Sequence, residues 1–191
     1  MILQTNGLPR LTQLLLGDIS WGDAGLQALS ECLVPGVAPS LTMLSFRDNN
    51  FGPVGARALA AALRRGAMPK LEKFFLGYNG GLDSEVIAIL APPLRKQQAL
   101  KYLVLRCRLG DEGVASLFAN LGKDDFMALT HLDLSPNDHM TDKSCACLIT
   151  ALDCDALPRL CQIYVSAIET SEAAVRWVHD ALARAVARRA L

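Results

Sequence analysis

The chain repeats itself about every thirty residues, and that period restricts it to architectures built by stacking. The segment Leu41-Thr-Met-Leu44-Ser-Phe46-Arg-Asp-Asn49 reads L-x-x-L-x-L-x-x-N. It recurs as Leu71, Phe74, Leu76, Asn79 and as Leu129, Leu132, Leu134, Asn137. Weaker copies are Leu11, Leu14, Leu16, then Leu100, Leu103, Leu105, and last Leu160, Ile163, Val165. Successive starts lie 30, 30, 29, 29 and 31 residues apart. A unit this short cannot close a core alone, so neighbours must bury one another's apolar faces.

The second half of each unit repeats too. Aligning Trp21, Phe51, Leu82, Leu109, Met140 and Thr170 puts Leu26, Ala56, Ile87, Val114, Cys145 and Val175 five residues on. Leu29, Leu59, Leu90, Leu117, Leu148 and Val178 follow at eight, and Leu33, Leu63, Leu94, Leu121, Leu152 and Leu182 at twelve. Offsets of five, eight and twelve share one face of an α-helix. Each unit is therefore predicted to be a short strand, a turn and a helix of roughly three turns. The Asn that leaves the strand has an amide suited to the buried backbone of the turn. Units one, four and six lack it, with Ile19, Arg106-Cys-Arg108 and Ile168 instead, and irregular turns are expected there.

These residues resemble the leucine-rich repeats of the ribonuclease-inhibitor type, also found in the Ran GTPase-activating protein and in NOD-like receptors. Gly22-Asp23-Ala24-Gly25 and Gly110-Asp111-Glu112-Gly113 look like that subclass's Gly-Asp-x-Gly helix opening. The resemblance covers residues 3 to about 182. It implies an α/β leucine-rich repeat solenoid, a right-handed superhelix with parallel strands on the concave face of a horseshoe and helices on the convex face. One domain over 1–191 is expected, with repeats starting near 11, 41, 71, 100, 129 and 160.

Leu3 lies eight residues before Leu11, the spacing that separates Leu33 from Leu41 and Leu63 from Leu71. Residues 1–10 thus read as the end of a preceding repeat, which suggests a piece of a longer array; a minimal cap made by Ile2 and Leu3 is the alternative. At the other end, residues 172–191 are predicted to be a long capping helix whose stripe is Val175, Val178, Leu182 and Val186. Its Arg176, Arg184, Arg188 and Arg189 suit a helix carboxyl end. They would also suit an anionic membrane or acidic partner.

Lys plus Arg and Asp plus Glu each total 19, so no global field draws in nucleic acid or anionic lipid. No apolar run of the ~18–20 residues that span a bilayer occurs, and neither a secretory leader nor an Asn-x-Ser/Thr sequon is evident. The six cysteines lack the paired spacing of a disulfide scaffold. A cytoplasmic location is expected.

Searching for chemistry finds no nucleotide-binding or hydrolase motif. The glycines of Gly77-Tyr-Asn-Gly-Gly81 occupy a repeat turn. Cys145 and Cys147 with Cys154, His131 and His139 invite a zinc reading, but Cys145 falls at a core position and Cys-x-Cys is not zinc spacing. No metal, cofactor or catalytic residue is predicted, and no small-molecule substrate.

Binding is expected on the strand face. Counting from each unit's first Leu, offsets two, four, six and seven should point away from the core. Met43, Phe75, Tyr78, Tyr102 and Val104 then form an apolar centre, ringed by Arg47, Asp48, Lys73, Arg106, His131 and Asp133. Aromatic residues and Arg within a polar rim are the composition of a protein-binding hot spot. The leading expectation is a protein-interaction module, part of a larger regulator or sensor. The rival is a GTPase activator of the Ran type, although that family's acidic tail is missing and this sequence ends in arginines.

Overall fold

The computed structural model describes residues 7–77, 83–166 and 169–190. Six strands alternate with six helices. In chain order they are β1 (Gln13–Leu15), α1 (Gly22–Cys32), β2 (Met43–Ser45), α2 (Pro53–Arg64), β3 (Lys73–Gly77) and α3 (Ser84–Arg95). Then come β4 (Tyr102–Arg106), α4 (Asp111–Phe118), β5 (His131–Leu134), α5 (Asp142–Asp153), β6 (Gln162–Val165) and α6 (Glu172–Arg189). The strands form one parallel sheet in the order β1 to β6, each paired with its sequence neighbours. Register carries the repeat across the sheet: Leu44 lies opposite Leu14 and Phe74, and Leu132 opposite Leu103 and Ile163. Adjacent strands sit about 4.8 Å apart, whereas packed helices need about 8–10 Å, so the stack curves with its strands on the inside. The fold is an α/β leucine-rich repeat solenoid.

Leu44, Phe46, Phe74, Leu76, Leu103, Leu105, Leu132 and Leu134 are buried from the sheet side, and Leu59, Leu90, Leu117 and Leu148 meet them from the helices. Phe46 packs edge-on against both Phe51 and Phe74, with centroids 6.1 and 6.4 Å away. A third buried row precedes β2, β3, β5 and β6: Ala38, Met68, Phe126 and Leu157. The sequence periodicity did not single it out, because these residues share neither helix nor strand spacing.

Several expectations need correcting. Trp21 aligns with the buried Phe51, Leu109 and Met140 but is 40% exposed. Its backbone is already helical rather than extended at the head of α1, which turns the indole outward. In unit four the helix has only eight residues, not three turns, because Ala119 is extended and Asn120 adopts positive φ. Leu121 therefore follows the helix and is only partly buried. On α6 the inward stripe is Ala174, Val178, Ala181, Leu182 and Ala185, while Val186 is 41% exposed. Three of the four α6 arginines bind protein, while Arg176 is exposed. Arg184 lies 3.2 Å from Asp153, Arg188 meets Asp155 at 3.1 Å and donates to Leu152 O at 2.9 Å, and Arg189 donates to Leu160 O at 2.7 Å.

In units one and four, the turn without its own Asn is served by the next coil. Asn137 is fully buried. Its Nδ2 donates to Leu134 O in its own coil and to Leu105 O in unit four, both at 2.7 Å. Its Oδ1 accepts from Cys107 N at 2.9 Å and Leu109 N at 3.1 Å, also in unit four. Asn49 reaches back in the same way, donating to Arg47 O at 3.0 Å and to Leu16 O of unit one. Unit one's turn is consequently no more irregular than unit two's: Asp18 and Ser20 take positive φ where Asp48 and Asn50 do. Ile168, Asn79 and Leu82 lie outside the described residues.

The Gly-Asp-x-Gly openings act between coils as well. Asp23 Oδ1 accepts from Gly52 N at 2.8 Å and Gly55 N at 2.7 Å, capping α2 from the preceding helix. Asp111 does the same for α5, taking Thr141 N at 2.9 Å and Ser144 N at 3.2 Å besides both hydroxyls. Asp142 takes Ser171 N at 2.7 Å and Ser171 Oγ at 2.9 Å ahead of α6. At α2 the receiving residue is Gly55, where a Cβ would stand 2.9 Å from Asp23 Oδ1.

Two outcomes follow from these contacts. Asn137→Ala strands four buried backbone groups, so it should cost about 3 kcal/mol or more of stability in urea unfolding, far more than an exposed Asn→Ala change. At Asp111, burial opposes the charged form, but the hydrogen bonds from Ser144 and Thr141 together outweigh it and hold the carboxyl below its usual range. A lowered folded-state pKa stabilises above the unfolded value of about 3.9, and that stabilisation is lost as pH falls through the folded value. The stability lead of wild type over Asp111→Asn should thus be full at pH 7 and shrink below about pH 4; an equal lead at pH 7 and pH 2.5 would contradict it.

Candidate functional site

Side chains on a strand alternate between faces, so the residues between the buried leucines must stand on the open side of the sheet. Parallel register then lines them up in columns. Gln13, Met43, Lys73, Tyr102, His131 and Gln162 form one row, and Leu15, Ser45, Phe75, Val104, Asp133 and Tyr164 another. Six strands at about 4.8 Å make a face about 24 Å wide.

Met43, Phe75, Tyr102 and Val104 do occupy neighbouring strands, but they are half-buried rather than fully open. The polar residues explain part of that. Tyr102 stacks on His131, with ring centroids 4.1 Å apart and planes 20° apart. On its other side Lys73 Nζ sits 5.0 Å from the Tyr102 ring centroid, a cation–π contact. His131 Nδ1 is 2.8 Å from Thr130 Oγ1. Lys73, Tyr102 and His131 are therefore one preordered row rather than a loose centre and rim.

The charged residues pair across strands in the same manner. Arg106 donates to Asp133 Oδ2 from Nε at 3.1 Å and from Nη2 at 2.6 Å, and Asp133 Oδ1 accepts Ser135 N at 2.9 Å. At the foot of the strands Lys101 and Glu72 meet at 2.8 Å. Arg47 and Asp48 are exposed at the strand's exit. Arg47 and Arg106 flank Gly77, whose missing side chain leaves a saddle: a Cβ there would stand 3.7 Å from each. Tyr78 lies outside the described residues.

Two open apolar side chains escaped the sequence reading of the site. Leu15 is 61% exposed and Tyr164 52% exposed, on the two edge strands of the sheet. Both belong to the offset-four column, and their signal was position: an edge strand has a neighbour on one side only. Beside Tyr164 a depression of about 500 Å³ is lined by Arg106, Asp133, Ser135, Ser166 and His179.

The cysteines are divided by depth. Cys145 is 1% exposed within the hydrophobic core. Burial, with Asp142 and Asp111 nearby, raises its thiol pKa. Burial pushes Cys107 up to about 12; a hydrogen bond with the Leu109 backbone opposes this and Asp83 adds to it. Among the described residues no group of three or more His, Cys, Asp or Glu is placed to hold a metal. No described helix is long and apolar enough to cross a membrane. Iodoacetamide at pH 8 should label the exposed Cys154 and Cys161 rapidly and leave Cys107 and Cys145 unlabelled until urea is added. Equal labelling in the folded protein would show that the core is open.

Comparison with known proteins agrees with this architecture. A family model described as "Leucine Rich repeat" matches residues 37–60 and 127–148. Those stretches contain Asn49 and Asn137, the two described residues that lock turns between coils. The C-terminal domain of tropomodulin from Caenorhabditis elegans is a similar solved structure. It superposes with a TM-score of 0.54 at 14% identity, over 98% of this chain and 90% of that one. At that identity the likeness is one of fold. No curated protein sequence matches the chain.

Proposed function

We propose that this chain is a protein-interaction module of the ribonuclease-inhibitor type, working in the cytoplasm and docking a partner protein across its strand face. The observation that carries the proposal is the row Met43, Lys73, Tyr102, His131: four side chains held in register on a rigid parallel sheet, three of them already stacked on each other. A surface ordered before binding loses little conformational entropy when a partner arrives. Phe75 and Val104 supply apolar contact in the adjoining row, and Arg47, Asp48, Arg106 and Asp133 supply polar contact around it. Leu15 and Tyr164 extend the apolar surface to both edges of the sheet. Tyr and Arg within half-buried surroundings are the residues that dominate interface energetics.

The test is affinity capture from the source cell, followed by titration of the captured partner. Tyr102→Ala and Phe75→Ala should each weaken binding by about 2 kcal/mol, near 30-fold in Kd, with thermal unfolding still cooperative. Trp177→Ala, on the helix side and 60% exposed, should leave binding unchanged. Wild-type affinity in both strand-face variants would move the interface elsewhere.

A further inference from the structure

Unit four closes its helical side differently from the others. In units two, three and five the helix runs on past Leu63, Leu94 or Leu152, and in unit one it ends just before Leu33; all four leucines are at 2% exposure or less. In unit four α4 stops at Phe118, and residues 119–125 cross the same ground without a helix. What holds them comes mostly from the tail of α3. The Arg95 guanidinium donates to Leu117 O at 2.9 Å, to Ala119 O at 2.7 Å and to Ser116 O, taking the last carbonyls of α4. Lys96 Nζ meets Asp125 Oδ1 at 2.7 Å, and Gln98 Nε2 donates to Asp124 O at 3.1 Å. Gly122 and Asp125 close a reciprocal turn: Gly122 N donates to Asp125 Oδ2 and Asp125 N to Gly122 O, both at 3.0 Å. The apolar grip is Phe126, 1% exposed, whose N–H donates to Arg95 O at 2.8 Å.

We propose that residues 119–125 are a latched flap, which opens as a unit on the intact solenoid with Arg95 as its catch. A continuous helix gives up its hydrogen bonds only by unwinding from an end, together with the leucines it buries. This segment is held by side chains from the last residue of α3 and the residues just after it, and besides the buried Asp125 it carries only the part-buried Leu121. Segments with few buried apolar groups and exposed polar ties open at lower free energy than the whole domain. Releasing Ala119 O from Arg95 leaves that carbonyl to take up water, which keeps the open form soluble while it uncovers Leu121. The sheet has no part in the motion, because β4 and β5 remain paired through Tyr102–His131 and Leu103–Leu132.

Native-state hydrogen exchange resolved to single amides tests this. In the wild type, the Gly122 and Asp125 amides should exchange at least about tenfold faster, relative to their intrinsic rates, than those of His131 and Leu132. Arg95→Gln should speed the flap amides by a further tenfold or so and leave the ratio of strand amides to global unfolding unchanged. Gln98→Ala removes only an outer tie and keeps the test alive if Arg95→Gln does not fold; it should speed the flap about threefold. Equal protection of flap and strand in the wild type, or a variant that accelerates both alike, would overturn the proposal.

Discussion

Coils of this solenoid leave polar backbone groups that they do not satisfy themselves, and a neighbouring coil, before or after, supplies the partners. Each parallel strand gives way to a turn whose amides and carbonyls face the interior, and each helix begins with amides that no earlier turn can meet. Asn137 fills four such groups across the boundary between units four and five. Asp23, Asp111 and Asp142 cap helices that belong to their successors. At the carboxyl ends, Arg65 donates to Ser30 O and Leu33 O of the preceding helix, Arg95 serves the following one, and Arg188 serves the preceding one. Apolar burial drives the stacking, but these contacts set its register. A coil displaced by one residue would leave them all unmade.

The fold was legible because it depends on two periods written into one dimension. Alternation places Leu44 and Phe46 inward, and the five, eight, twelve spacing does the same for Ala56, Leu59 and Leu63. Where the sequence reading failed, a local contact overrode the period. Trp21 kept its place in the alignment, but the backbone there had already turned helical. Leu121 kept its place too, but α4 had ended before reaching it. Val186 lost the inward position to Ala185, because α6 continues beyond the length its predecessors share and its packing face drifts.

For the strand face, position was readable and state was not. Spacing alone set Lys73, Tyr102 and His131 in one row, since parallel register preserves the offset from each leading Leu. That the three stack, and that Arg106 closes on Asp133, depends on rotamers chosen by contact across strands, which no single strand's sequence encodes. Leu15 and Tyr164 share a column with Phe75 and Val104, yet how far each stands open is a matter of the packing around it.

The backward reach of Asn137 also limits how such an array can be recombined. Unit four has no turn amide of its own and borrows one from unit five, as unit one borrows from unit two through Asn49. A duplication or deletion that cut between borrower and lender would strand the borrower's turn, whereas a cut after unit two or after unit five would leave these two loans intact. By this turn chemistry units one and two, and units four and five, are each joined into a donor–recipient pair of about sixty residues, twice the visible period.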